Sequence, residues 1–139
     1  MLFDTDVIIW AFRGNSEAQH EINNAKPRQI SIITYMELLQ GARNKHEQKH
    51  IKQFLKAMSF EVLPITANIS HRAAILIEEY ALKAGLNISD ALIFATANEH
   101  AIRLCSSNEK HFRHLPDLDT KPFRPNPQKS TAKRSRQKQ

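Results

Sequence analysis

The chain has 139 residues, enough for one domain of ordinary size and not for two. Hydrophobic residues make up 41% and charged residues 24%, which supports a buried core, while 3 Gly and the absence of any GxGxxG or GxxxxGK[ST] pattern argue against a glycine-rich phosphate loop. The net charge of +6 sits at one end: residues 121–139 hold 7 basic side chains and no acid, and the other 13 basic residues face 14 acidic ones.

In chain order, Leu2-Phe3 reads as a short strand that reaches Asp4. Thr5 or Asp6 is placed to cap a helix through Phe12, although periodicity alone also allows one longer strand through Ile9. Gly14-Asn15-Ser16 is a break, and Ser16 can cap a helix from Glu17 to about Ala25 that Pro27 ends. Gln29 to Ile33 is β-branched and predicts a buried strand. Ser31 or Thr34 then caps a helix carrying Met36, Leu38 and Leu39 toward Gly41. His46 to Met58 is amphipathic, with Ile51, Phe54, Leu55 and Met58 on one face. Phe60 to Ile65 is a third strand, and Ala67 to Ala84 a long helix closed by Gly85. Ser89 is positioned to cap a helix from Asp90 to about His100, Ile102 to Ser106 is a fourth strand, Glu109 to His114 a short turn or helix, and Leu118 a possible start for an edge strand. Strands alternating with helices predict an α/β fold whose mainly parallel sheet is covered on both faces.

One Cys excludes an intramolecular disulfide, and without a CxxC pair a zinc ribbon is excluded too. No apolar run approaches the ~18 residues of a membrane span. Asp4 and Asp6 interrupt the apolar N-terminus, which a secretory signal would not tolerate. The expectation is a cytoplasmic protein with no membrane association.

Three acids stand out. Asp4 follows a strand and precedes Val7-Ile8-Ile9. Glu37 lies one turn into the helix after the second strand, among Met36, Leu38 and Leu39. Asp90 opens the apolar run Ala91-Leu92-Ile93-Phe94-Ala95. In open parallel sheets ligands collect beyond the carboxyl ends of the strands. An unpaired carboxylate in apolar surroundings is expensive to desolvate, and several together repel one another. A divalent cation resolves both problems, and oxygen-only ligands select Mg²⁺ or Mn²⁺. The separate readings are plainer: Asp4 or Asp6 as a cap, Glu37 as an exposed helix residue, Asp90 as a first-turn acid.

The residues also carry a family resemblance. Leu2-Phe3-Asp4-Thr5-Asp6 is similar to the L-D-T-[NS] start of PIN-domain ribonucleases, specifically the VapC type of toxin from bacterial toxin–antitoxin pairs. Ile30 to Ala42 (ISIITYMELLQGA) resembles their I-S-x-x-T-x-x-E-L-x-x-G-A. Ile88 to Ala97 (ISDALIFATA) resembles I-x-D-A-L-I-A-A-T-A, and Leu104 to Phe112 (LCSSNEKHF) resembles L-x-T-x-N-x-x-[DH]-F. The likeness spans Met1 to about Phe123.

The resemblance implies a PIN-like three-layer α/β/α domain over residues 1–120 and a metal-dependent endoribonuclease using Mg²⁺, with Mn²⁺ as a substitute. Asp4, Glu37 and Asp90 would hold the metal. The fourth, more variable acidic slot falls on Ser106-Ser107-Asn108, so Asn108 stands there as an amide; Glu109 and His111 are the neighbouring alternatives. Thr5, Ser31, Thr34 and Asn108 are candidates to orient carboxylates and water. The family further implies an RNA substrate, a homodimer, and a groove for the C-terminal segment of a cognate antitoxin, which often presents an Arg or Lys to the acidic site. The helices at 16–25 and 46–58 are candidates for these contacts.

Competing readings are a PIN-like RNA-binding module that no longer cuts because its fourth acid is missing, zinc on His46 and His50, and acid–base catalysis by His111 and His114 without metal. A flap-type DNA nuclease would need more chain. Residues 121–139, proline-broken and cationic, predict a disordered tail able to neutralise phosphates.

Overall fold

The computed structural model describes residues 1–113, 115 and 117–125. Within them the chain runs β1 (Leu2–Phe3), α1 (Thr5–Phe12), α2 (Ser16–Asn23), β2 (Gln29–Ser31), α3 (Ile32–Gln40), α4 (Lys45–Ala57), β3 (Glu61–Leu63), α5 (Ala67–Ala84), α6 (Ile88–Glu99), β4 (Leu104–Ser106), α7 (Glu109–Phe112) and β5 (Thr120–Pro122). Among the described residues the five strands form one parallel sheet in the order β3-β2-β1-β4-β5.

The helices start where a side-chain oxygen can take a free backbone N–H. Asn44 accepts from Glu47 N at 2.9 Å and Thr66 from Ile69 N at 3.2 Å. Ser31 accepts from Ile33 N at 3.0 Å, so the second strand ends at Ser31 and not at the expected Ile33. Three caps sit one or two residues ahead of the expected ones. Asp4, not Thr5 or Asp6, caps α1; Asn15, not Ser16, caps α2; Asn87, not Ser89, caps α6. Each is an Asn or Asp in extended backbone, and such a side chain caps at least as well as Ser.

Alternation along the short strands sends side chains to two cores. Leu2 and Leu104 face one, with Ile69, Ile93 and Phe94 from α5 and α6. Phe3 and Cys105 face the other, with Val7, Ile22, Leu38, Ile51 and Leu55 from α1 to α4. Three layers result, α/β/α. Burial pushes the Cys105 thiol up to about 12, so this residue is an inert core hydrophobe.

The boundary of the tail needs correction. Lys121 and Pro122 belong to β5, Phe123 is 4% exposed in the second core, Lys121 pairs with Glu21 at 2.7 Å and Arg124 with Glu109 at 3.0 Å. One large apolar side chain and a strand edge are enough to hold residues 121–124 on the domain. The rest of the expected tail, from residue 126, lies outside the described residues. Among the described residues no helix is long and apolar enough to cross a membrane.

Local geometry predicts two modest losses of stability. Asn15→Ala removes the cap bond to Ala18 N, 3.0 Å long and buried, and should cost about 1 kcal/mol. Gly85 closes α5 at φ 70 in open space, so Gly85→Ala should cost about 1 kcal/mol or slightly more through backbone strain alone. Urea unfolding with an unchanged m-value checks both.

Candidate active site

The strand order reverses beside β1. The chain moves from β1 through β2 to β3 on one side, then returns to β4 and β5 on the other. Such a switch point opens a crevice at the carboxyl ends of the two adjacent strands. Asp4 leaves β1 there, and Ser106-Ser107-Asn108 leave β4. Helix α6 runs back to the start of β4, so its first turn, with Asp90, stands at the same end. Helix α3 begins directly after β2 and brings Glu37 one turn later.

Asp4, Asp6, Glu37, Asp90 and Asn108 therefore line one cleft of about 350 Å³, together with Thr5, Ile9 and Ser107. Asp4 and Asp90 are buried at 5% and 8% exposure; Glu37 and Asn108 are half-buried.

Three consecutive residues of the β4 exit are each bonded to a different acid. Ser106 Oγ donates to Asp4 Oδ2 at 2.6 Å. Ser107 donates to Asp6 Oδ2 through its backbone N at 3.1 Å and through its hydroxyl. Asn108 Nδ2 lies 3.4 Å from Asp90 Oδ2, and its backbone N donates to Ser106 Oγ at 3.0 Å. Thr5 N donates to Asp4 Oδ1 at 2.8 Å, while Thr5 Oγ1 donates to Glu37 Oε1 at 2.6 Å and lies 3.0 Å from Thr34 Oγ1. Ser31 is spent on capping α3.

His111 closes the other side. Its Nδ1 stands 2.9 Å from Asp90 Oδ2 and 2.8 Å from Asn108 Nδ2; with a proton it donates to Asp90, and without one it accepts from Asn108. This makes His111 a partner of Asp90. Glu109 is turned to Arg124 instead. His114 lies outside the described residues.

The electrostatics are strained toward neutrality. Desolvation and then the charge of Asp6 push the Asp4 carboxyl up to about 7, against the opposing bonds from Ser106 and Thr5. Burial raises Asp6 and Asp90 as well; the backbone N–H groups of Ser107, Val7 and Asp6 itself oppose the rise at Asp6, the bond from His111 opposes it at Asp90, and the charge of Glu37 adds to it at Asp90. One oxygen, Asp6 Oδ1, is buried without a hydrogen bond.

These residues fit a hard divalent cation. The donors are oxygens, the carboxylates repel one another, and a buried carboxylate oxygen lacks a partner. Among the described residues no group of three or more His, Cys, Asp or Glu side chains is placed so that, as it stands, it could hold a metal ion. A cation in the cleft would be held by waters as well as by carboxylates, as Mg²⁺ commonly is. The same observation leaves His46 and His50, whose rings are 4.3 Å apart, without the third ligand that zinc needs.

The cleft brings together Asp4, Glu37, Asp90 and Asn108, which the sequence singles out, and adds Asp6, which the sequence offers only as a cap alternative, with Ser106 and Ser107 bonded to its acids. Their bonds join residues about a hundred positions apart, and nothing local signals them.

An α/β/α layering with carboxylates gathered at the switch point defines a class, and the sequence agrees with it. The PIN-domain sequence model matches residues 1–118, and the chain belongs to the PIN-domain family. Within that family the likeness is to VapC-type members. A toxin–antitoxin complex from Klebsiella pneumoniae contains a chain 32% identical to this one, with a TM-score of 0.73 over 88% of this chain and 98% of that chain. VapBC2 from Rickettsia felis, bound to a DNA fragment from its promoter, gives 19% identity and a TM-score of 0.74, covering 88% and 98%. DNA-bound VapBC from Salmonella typhimurium gives 21% identity and 0.73, covering 87% and 96%. The last two show the fold alone. No curated protein shows significant sequence similarity to the chain.

Proposed function

We propose that this protein is a divalent-cation-dependent endoribonuclease, the toxin of a toxin–antitoxin pair. The observation that carries the proposal is the gathering of Asp4, Glu37 and Asp90 around one open cleft at the sheet's switch point. Asp4, Glu37 and Asp90 would hold Mg²⁺ or Mn²⁺. When bound, such an ion supplies neutralising charge at a phosphodiester and acidifies a water.

The chain's own residues do the placing. Ser106 and Thr5 fix both oxygens of Asp4, Thr5 fixes Glu37, and Asn108 with His111 fix one oxygen of Asp90. With those oxygens held, little reorganisation is left for the moment when a charged substrate arrives.

An antitoxin is the partner proposed for the neighbouring groove. Ile8, Ile9, Phe12, Leu38, Ile51 and Phe54 line a hollow of about 90 Å³ between α1, α3 and α4, and it shares Ile9 and Glu37 with the acidic cleft. An apolar segment seated there could extend a cation onto Glu37. From the helices expected to make this contact, Ile51 and Phe54 of α4 line the groove; Ala18 and Ile22 of α2 are buried in the core. A homodimer belongs to the same proposal.

The test is purified protein with structured RNA. Cleavage with Mn²⁺, its loss on adding EDTA, and inhibition by the protein encoded in the neighbouring reading frame are expected. RNA that is bound and never cut, with any divalent cation, would favour the non-cutting RNA-binding module.

A further inference from the structure

We infer that Asp6 supplies the fourth carboxylate of the cation site, in place of the acid that position 108 lacks. The inference rests on the divalent-cation reading above and goes beyond it by assigning a residue. Asp6 lines the same cleft as Asp4, Glu37 and Asp90. One of its oxygens takes both hydrogen bonds from Ser107, immediately before the amide at 108, so its carboxylate is anchored to the loop that carries the fourth slot. Its other oxygen is buried with no hydrogen bond.

A residue serving only as a clamp would be complete with the Ser107 bonds. A neutral side chain could make them, and no desolvated second oxygen would be left beside two like charges. The backbone N–H groups of Val7 and of Asp6 itself offset part of the cost of this buried charge, and a cation would offset the rest. Asn108 provides no charge, and its amide is directed to Asp90 and His111. The negative charge expected from the β4 exit is thus delivered from the first turn of α1, one hydrogen-bonded neighbour away.

The experiment is Mn²⁺ binding by calorimetry to the full chain, without RNA, for wild type, Asp6→Asn, Asn108→Asp, and the two changes combined. Asn at position 6 keeps an acceptor for Ser107, so the loop is retained. Loss of one charge and ligand should weaken Mn²⁺ binding roughly tenfold or more, the scale at which even outer partners of a metal affect its affinity. The combined variant should recover most of that loss, because an acid returns at 108. Glu79→Gln, on the exposed face of α5, should leave affinity unchanged.

Wild-type affinity in Asp6→Asn would overturn the assignment while leaving the cation site standing. A loss that Asn108→Asp does not repair would make Asp6 a structural clamp and would also overturn it. A wild-type chain that binds no Mn²⁺ would overturn the cation reading itself, and this assignment with it.

Discussion

Asp90→Asn should reduce the proposed metal-dependent RNA cleavage by at least about a hundredfold, the upper end of what outer metal partners cost, because this change removes a carboxylate from the proposed cation site itself. The fold should survive. Asp90 N still donates to Asn87 Oδ1 at 2.8 Å, so the α6 cap is untouched. The lost favourable interaction of an acid with the helix N-terminus, about 0.3–1 kcal/mol, is offset by relief from burial and from the charge of Glu37. Ser106→Ala, which frees Asp4 without removing it, should lose less, about 10–100-fold. Single-turnover rates with circular dichroism on the same samples check the pair. Wild-type cleavage by well-folded Asp90→Asn protein would remove Asp90 from the site.

In the absence of divalent cations the protein should lose stability as pH rises from about 4 to about 7. The Asp4 carboxyl stands at about 7 in the folded chain and near its ordinary value of 3.8 when unfolded. Below pH 4 both states hold the proton and there is no penalty. Between the two values the folded state keeps a proton that the unfolded chain has released, so stability falls with rising pH; above 7 the full cost remains. Three pH units at one buried group correspond to about 4 kcal/mol, on the order of 10–15 °C in melting temperature. Asp6 and Asp90 are raised in the same direction and steepen the slope. Asp4→Asn, which still caps α1, should flatten it, and Mn²⁺ should restore the wild-type melting temperature at pH 7.5. A melting temperature equally steep in wild type and Asp4→Asn would show that Asp4 is ionised throughout.

The parts of this site that were legible in the sequence were those that broke a local rule. Asp4, Glu37 and Asp90 are acids inside apolar runs, and their order relative to the strands placed them at one end of a parallel sheet. Asp6 breaks no rule by itself, since an acid in a helix's first turn is favourable. Its position in the cleft depends on which residue caps α1, and Asp4 and Asp6 are chemically equal candidates for that. Ser106 and Ser107 look like ordinary strand-end residues until β1 and β4 are known to be neighbours. The fold class follows from alternation, and the edge strand expected from Leu118 forms two residues later as β5; what a proline-rich basic stretch does not announce is that Lys121 and Pro122 belong to that strand and that Phe123 enters the core.

The bond between Ser106 and Asp4 joins positions 102 apart in the chain. Asp4, Asp6 and Glu37 are made early in synthesis, yet β1 gains its β4 neighbour, and the acids gain Ser106, Ser107 and Asn108, only after three quarters of the polypeptide has been polymerised. A nascent chain held on a ribosome therefore carries the acids without the loop that sets their spacing.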